Sequence, residues 1–177
     1  MFISKSVHTK IAYRAIKELL TSGNINNIKK QTVPLILKER CSCFVTLKTD
    51  TNKLRGCIGT IKPVYKNLFL EIINNAISSA FFDNRFDKLK IDELNKILIT
   101  VEVLYPPEPI NNVSLLDPRK YGAIISDQYN RRGVLLPDIE GIDTVEEQIR
   151  IIKRKAGIIQ NGLENLNIYR FRTEKFY

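Results

Sequence analysis

The chain has 177 residues, 44% of them hydrophobic, and its 28 Lys/Arg against 19 Asp/Glu give a formal net charge of +9. A chain of this length buries roughly 70% of its unfolded surface, so it needs no disulfide framework, and three cysteines, an odd number, favour reduced thiols. The sequence contains no run of about 18 apolar residues, which a membrane span requires, and its first ten residues lack the apolar core of a secretory signal. We therefore expect a cytoplasmic protein without membrane attachment.

The positive charge is concentrated at the N-terminal end. Residues 1–63 carry 12 Lys/Arg and only 3 Asp/Glu. Such a field could attract phosphates, nucleic acid or acidic metabolites. The lysines are dispersed, however, as on an ordinary solvated surface. We expect nucleic-acid binding to be absent or non-specific.

Helical and extended patterns alternate through the first half of the chain. Residues 6–20 repeat apolar side chains at helical spacing, and Ser22-Gly23 follows as a stop. Residues 43–48 alternate apolar and polar side chains, and after the turn "TDTN" the segment "KLRGCIGTI" (53–61) predicts the second arm of a hairpin. Residues 67–82 predict a second amphipathic helix.

The second half continues in the same way. Residues 97–105 are rich in β-branched side chains and predict a buried strand. Residues 121–126 and 131–137, separated by "DQYN", predict another hairpin, and "LNIYRFR" (166–172) predicts a final strand.

The segment "DTVEEQIRIIKRKAG" (143–157) predicts the clearest helix. Thr144 and Glu147 form a capping box, acids precede bases, and Gly157 closes the last turn. Hairpins with interspersed helices predict an α+β fold. We expect a mainly antiparallel sheet flanked by helices, with two lobes in one compact unit.

The segment "KLRGCIGT" (53–60) contains the main candidate site. On a strand, Arg55, Cys57 and Gly59 share one face, whereas Gly56 and Thr60 share the other. Arg55 and Cys57 would then lie about 6 to 7 Å apart, and Gly59 would leave room for a close approach to the backbone. The pattern is typical of a small concave surface with a cation and a thiol, and equally of a β-bulge with a packed cysteine.

Several familiar chemistries are disfavoured. With His8 as the single histidine, the chain lacks an HExxH pair. Cys41, Cys43, Cys57 and His8 could supply four zinc ligands, but the C-x-C pair lacks the C-x2-C spacing of a zinc knuckle. We therefore expect neither a metal nor a cofactor.

A set of segments, in order from Cys43 to Phe171, strongly resembles the AMMECR family, protein A of the AmmeMemoRadiSam gene set. The segments are "LRGCIGT", "NAISSAFFDNRF", "ITVEVLYPPEP", "LLDPRKYGAII", "RRGVLLPDIEGIDTVEEQIRIIKRKAGI" and "YRF". The resemblance implies a single AMMECR-like domain over residues 1–177 with a two-lobed α+β fold. It also implies a Memo-like protein, related to extradiol dioxygenases, and a radical-SAM protein as separate partners, and it leaves the molecular activity open.

The resemblance also selects candidate residues. Arg55, Gly56, Cys57, Gly59 and Thr60 match the signature segment of the family. Cys57 and Arg55 are therefore candidate catalytic residues, and the two glycines and Thr60 are candidate ligand-binding residues.

Two further residues match the family segment "DNRF" that follows the second predicted helix. Asp83 and Arg85 are candidate ligand-binding residues, and a turn-fixing ion pair explains them equally well.

Three more candidates come from residues in unusual surroundings. Glu102 lies among apolar strand residues, where an unpaired carboxylate is costly, so we expect it to meet a cation, with Arg55 or Arg85 as candidate partners, or to face a cleft, and it is a candidate catalytic residue. Arg132, next to Arg131 on the second hairpin, could clamp a carboxylate or phosphate. Gln148, on the first turns of the last helix, is a candidate ligand-binding residue.

Two function classes follow. The first is an enzyme or enzyme component whose cleft around Arg55 and Cys57 handles a small anionic or oxidisable substrate. The alternative is a non-catalytic binding module for nucleic acid or a protein partner, for which the basic N-terminal third is the only compositional support.

Overall fold

The structure, a computed structural model, describes residues 6–159 and 162–177. The chain divides into two units, the first comprising residues 1–104 with 174–177 and the second residues 105–173. Each unit contributes a four-stranded antiparallel sheet with strand orders β2-β1-β3-β8 and β4-β7-β5-β6.

The first unit combines two long helices with its sheet. Its elements are α1 (Val7–Ser22), α2 (Asn26–Lys29), β1 (Ser42–Thr49), β2 (Leu54–Gly59), α3 (Leu68–Phe81), β3 (Ile97–Leu104) and β8 (Thr173–Phe176). Helix α1 begins after Ser6, whose side chain accepts a hydrogen bond from the backbone N–H of Thr9, and ends at Gly23 with φ +72°.

The core of the first unit lies between its two long helices and one face of its sheet. Cys43, Val45 and Leu47 of β1 are fully buried, as the alternation of that segment predicts. Ile16 of α1 and Ile72 of α3 pack in the same cluster. The opposite face of the sheet carries the alternate side chains of β1, β2 and β3, among them Phe44, Cys57 and Glu102.

The second unit packs one helix against its sheet. Its elements are β4 (Glu108–Ile110), β5 (Gly122–Ser126), β6 (Arg132–Leu135), α4 (Val145–Ala156) and β7 (Asn167–Phe171). The predicted capping box of Thr144 and Glu147 is present, and Gly157 ends the helix with φ +68°. Ile152 of α4 packs with Ala123 and Ile125 of β5 in the core of this unit.

The α+β class with antiparallel pairing is confirmed, but two sheets are present where one was expected, and α2 and other short elements were not predicted. The short strand β4 was not predicted, and "LNIYRFR" was predicted to be the final strand, whereas β8 follows it. Among the described residues, no helix is long and apolar enough to cross a membrane.

Candidate functional site

The signature segment forms the edge strand β2, paired antiparallel with β1 as predicted. Cys57 lies opposite Thr46 and Gly56 opposite Leu47. The register then shifts, so that Arg55 is the extra residue of an irregularity in the ladder. The bulge expected as one interpretation of the segment is therefore present beside the thiol and the cation.

Both glycines of the segment lie under close contacts made by the chain itself. A Cβ on Gly56 would lie well inside 3.0 Å of the Ser79 carbonyl oxygen on α3. A Cβ on Gly59 would collide with the Phe44 ring and the Cys43 carbonyl oxygen. The room that Gly59 leaves, which the sequence predicted, is taken by Phe44.

The Ser79 side chain of α3 forms hydrogen bonds with both β1 and β2. The backbone N–H of Ile58 donates to Ser79 Oγ at 2.8 Å, and the same hydroxyl donates to the Val45 carbonyl oxygen at 2.7 Å. The hydroxyl thus bridges two residues that are partners in the strand register. Helix α3 is therefore tied to the hairpin by polar bonds as well as by apolar packing.

Residues of the turn after α3 form hydrogen bonds with the outer edge of β2. The backbone N–H of Cys57 donates to Asp83 Oδ2 at 2.8 Å, and Arg85 Nη2 donates to the Cys57 carbonyl oxygen at 3.3 Å. Arg85 also donates to both carboxylate oxygens of Asp83, at 2.7 and 2.9 Å. These hydrogen bonds, that from Arg85 foremost, hold the pKa of Asp83 well below its ordinary value. The predicted ion pair is present, and it closes an otherwise open sheet edge.

Thr60 is held by a carboxylate that sequence reasoning missed. Its hydroxyl donates to Glu71 Oε1, while Glu71 Oε2 accepts the backbone N–H groups of Val64 and Tyr65 at 3.1 and 2.9 Å. Glu71 is fully buried. A carboxylate in the apolar stretch "LFLEII" was the available signal, because such a group must find donors.

Arg55 is fixed by a second carboxylate. Its Nε donates to Glu93 Oε1 at 2.7 Å and its Nη2 to Glu93 Oε2 at 3.1 Å, a bidentate pair. The hydrogen bond from Arg55 lowers the pKa of Glu93. Within the described part of the chain, the buried Nη1 of Arg55 has no hydrogen-bond acceptor.

A groove of about 390 Å³ opens beside this guanidinium. The Phe86 ring centroid lies 6.0 Å from Arg55 Cζ and 5.5 Å from Arg85 Cζ. The groove is lined by Arg55, Phe86, Asp87, Lys88, Lys90, Asp92 and Glu93. Cationic, acidic and aromatic side chains thus line a groove next to Arg55, whose Nη1 lacks an acceptor among the described residues.

The three cysteines are reduced and differ in exposure. Cys57 is half-buried, with its Sγ 3.2 Å from Thr46 Oγ1. Burial raises the pKa of Cys43 to about 12, and burial together with the nearby Glu39 raises the pKa of Cys41. Among the residues that the structure describes, no cluster of three His, Cys, Asp or Glu side chains is placed to hold a metal ion.

Glu102 lies on the sheet face that Cys57 also shares. It is opposite Phe44 in register, 7% exposed, and its Oε2 lies 3.9 Å from Lys175 Nζ on β8. The expected cation is present as Lys175, whereas the two candidate partners were wrong, because Arg55 and Arg85 pair with Glu93 and Asp83. The strand that carries Lys175 was itself not predicted.

The remaining candidates belong to the second unit. Arg132 is exposed at the start of β6, whereas Arg131 binds Asp127 at 2.6 Å and donates to the Gly157 carbonyl oxygen. Gln148 is fully buried and donates to the Tyr121 carbonyl oxygen at 2.8 Å. Its Oε1 is buried without a hydrogen-bond donor among residues 6–159 and 162–177. The structure therefore brings residues 55–60 together with Asp83 and Arg85, whereas Arg132 and Gln148 belong to the second unit.

Comparisons with known proteins give one consistent family. A protein from Thermotoga maritima is 45% identical over 174 residues, covering 98% of this chain and 99% of its own length. A longer protein from Clostridium acetobutylicum is 41% identical over 172 residues, which are 97% of this chain and 36% of that protein. The crystal structure of an uncharacterized protein from Pyrococcus horikoshii superposes with a TM-score of 0.83 at 30% identity, covering 98% of this chain and 92% of that one.

The family model described as AMMECR1 matches residues 9–176, which include every candidate residue named above. The chain belongs to the AMMECR1 family.

Proposed function

We propose that the first unit binds a small anionic molecule in the groove beside Arg55, and that the chain acts on it as an enzyme or enzyme component. The observation that carries the proposal is the buried Arg55 Nη1, which lacks an acceptor among the described residues. A buried donor without an acceptor costs about 1–3 kcal/mol. A carboxylate or phosphate oxygen of a ligand would remove that cost by displacing the side chains that cover Nη1.

The surroundings of Arg55 support an anion in particular. Glu93 holds the guanidinium by two hydrogen bonds, so the side chain loses little conformational freedom when a ligand binds. Lys88 and Lys90 are exposed on the groove wall, where Asp87 and Asp92 offset their charge, so the attraction for an anion comes from the Arg55 donor and not from a net positive charge. Because Glu93 already balances Arg55, a ligand of low charge suits the groove better than a polyanion.

The catalytic part of the proposal rests on Cys57 and Glu102. Cys57 lies two residues beyond Arg55 on β2 and is half-buried, and Glu102 lies on the same sheet. A thiol and a carboxylate are suitable for nucleophilic and general-base roles. The family resemblance adds a Memo-like and a radical-SAM protein as expected partners in the cytoplasm, acting as separate chains.

The anion site is tested by NMR titration of the whole ¹⁵N-labelled chain with acetate, malonate and inorganic phosphate, with acetamide as the uncharged control. We expect saturable shifts at the amides of Arg55, Phe86 and Lys90, with affinity reduced roughly tenfold or more in Arg55→Gln. Arg55→Lys keeps the charge but not the planar fork, so it should retain only part of the affinity. Arg14→Gln removes an exposed arginine of α1 and serves as the matched control.

Shifts that are spread over exposed lysines and persist in Arg55→Gln would contradict the proposal. Circular dichroism of each variant separates loss of binding from loss of structure. The role of partners is tested separately, by sedimentation velocity of the chain with purified Memo-like and radical-SAM proteins. A complex that forms equally well with Arg55→Gln would place the partner surface elsewhere, and the absence of any complex would remove that part of the proposal.

A further inference from the structure

Helix α4 of the second unit has a buried face that packs on the sheet and a second, half-buried row of apolar side chains beside it. Gln148 and Ile152 are fully buried against the sheet. Val145 and Ile149, one turn apart, are only half-buried. They line a groove of about 730 Å³ whose other apolar walls include Val113.

The volume and walls of this open groove are compatible with binding of a small molecule. Its volume lies within the range of roughly 300–1,000 Å³ that is usual for ligand pockets. Val145, Ile149, Ile158 and Leu163 make an aliphatic lining without an aromatic ring. An unbranched aliphatic chain would fill such a surface more readily than a planar ring system.

The charges on the rim are unevenly distributed along α4. Glu146, Arg150 and Arg154 follow one another at four-residue spacing and all line the groove. The acid thus lies at the N-terminal end of the groove and two exposed arginines lie toward its C-terminal end. Lys153, between them in sequence, donates to the Gly162 carbonyl oxygen and contributes to the wall. The groove therefore has one end suited to an anionic head and an apolar length leading away from it.

We propose that this groove binds an aliphatic carboxylate, with the chain against Val145 and Ile149 and the head against Arg150 and Arg154. Charge complementarity selects this occupant. A neutral lipid would leave both arginines unused, and a cationic amphiphile would be repelled at that end. The inference is independent of the anion site beside Arg55, because it concerns residues of the second unit alone.

The test is an NMR titration of the full chain with decanoate below its micelle concentration. Decanol and decyltrimethylammonium have the same chain length without the negative head. We expect saturable decanoate binding with shifts at Val145, Ile149 and Ile158, and clearly weaker binding of both control amphiphiles. The double variant Arg150→Gln/Arg154→Gln should lose roughly tenfold or more in decanoate affinity while its decanol affinity stays unchanged.

Arg119→Gln/Lys120→Gln provides the matched control, since it removes two exposed cations of the same unit outside this groove. Ile149→Glu, which puts an acid into the apolar wall, should abolish decanoate binding. If that variant unfolds, the surface double variant still decides. Equal affinities for decanoate and decanol, or decanoate binding unchanged in the double variant, would overturn the proposal. The proposal would also fail if decanoate did not bind, whether or not an acidic amphipathic peptide occupied the groove.

Discussion

The edge strands β2 and β6 share one packing feature, a glycine beneath a helix. Each carries a glycine that allows a helix to approach its backbone, Gly56 under Ser79 of α3 and Gly133 under Ile152 of α4. In both places an added Cβ would collide with a helix carbonyl oxygen. Close approach of a helix to an edge strand is thus a general solution in this chain and is not by itself a sign of function.

The difference lies in the polar contacts that each strand receives. On β2, the turn residues Asp83 and Arg85 hold the backbone of Cys57, and Ser79 bridges Ile58 to β1. On β6, Lys155 donates to the Val134 carbonyl oxygen from an exposed position. The backbone of β2 next to the candidate site is thus held by hydrogen bonds with Ser79, Asp83 and Arg85 in addition to apolar packing.

The largest expected effect concerns the thiols, and it tests whether these hydrogen bonds to β2 leave the Cys57 side chain accessible. At pH 8, a pKa of about 12 leaves Cys43 with on the order of a thousandfold less thiolate than an unperturbed thiol. We expect iodoacetamide to modify Cys57 first, Cys41 later and Cys43 only after unfolding, as followed by mass spectrometry. Slower modification of Cys57 than of Cys41 would show that β2 carries a purely structural cysteine.

The next prediction compares the two glycines directly. Gly56→Ala and Gly133→Ala should each lower the free energy of unfolding by about 3 kcal/mol, because the new Cβ displaces helix backbone. Gly141→Ala is the matched control. Its position is open but has φ +78°, so about 1 kcal/mol is expected from backbone strain alone. Urea titration measures all three, and a loss at Gly56 no larger than at Gly141 would refute the steric account of β2.

Asp83→Asn and Asp127→Asn test the polar difference. Both carboxylates are buried and bind an arginine. Asp83, in the turn after α3, also accepts a hydrogen bond from the backbone N–H of Cys57 on β2. Asp127 accepts hydrogen bonds from the backbone N–H groups of Tyr129 and Arg131 in its own loop. Each change should cost about 1–3 kcal/mol. Amide hydrogen exchange should accelerate at Cys57 in Asp83→Asn, and only within the loop in Asp127→Asn. Unchanged exchange at Cys57 would mean that the turn does not hold β2.

The smallest effect is a pH dependence that belongs to the first unit. His8 is buried and stacked on Phe176 at a centroid distance of 3.6 Å, and burial lowers its pKa. The unfolded chain therefore takes up a proton at its ordinary pKa near 6.5 more readily than the folded chain. Stability should fall modestly as the pH drops below about 6.5, and His8→Gln should flatten that fall.

Asp83 affects stability in a separate, more acidic pH range. Its lowered pKa stabilises the folded chain above the ordinary carboxyl value, and this contribution is lost as the pH falls below about 4. Denaturation midpoints between pH 3 and 8 distinguish the two residues. A fall between about pH 6.5 and pH 5 that persists in His8→Gln would contradict the assignment, because the chain has no other histidine.

The local elements were predictable from sequence because their signals are local. Alternation in residues 43–48 correctly predicted which side chains of β1 are buried, and the capping box predicted where α4 begins. The strands β4 and β8 were missed because they have only three and four residues, too few for a periodic signal.

The contacts of the candidate site were harder to predict because they join distant parts of the chain. Arg55 and Glu93 are 38 residues apart, and Glu93 lies in a short 3-10 turn without a distinctive pattern. Asp83 and Cys57 are 26 residues apart. Sequence indicated that these side chains need partners, but the choice among several carboxylates depended on how α3 and its following turn cross β2.

The Ser79 hydroxyl makes the hairpin and the helix mechanically dependent on each other. Beside the paired residues Val45 and Ile58, one side chain of α3 hydrogen-bonds to both strands. A sideways shift of β2 must therefore either rotate Ser79 or pull on α3. The same helix carries the buried Glu71, which accepts a hydrogen bond from Thr60 just beyond the end of β2, so one helix fixes this strand at two levels.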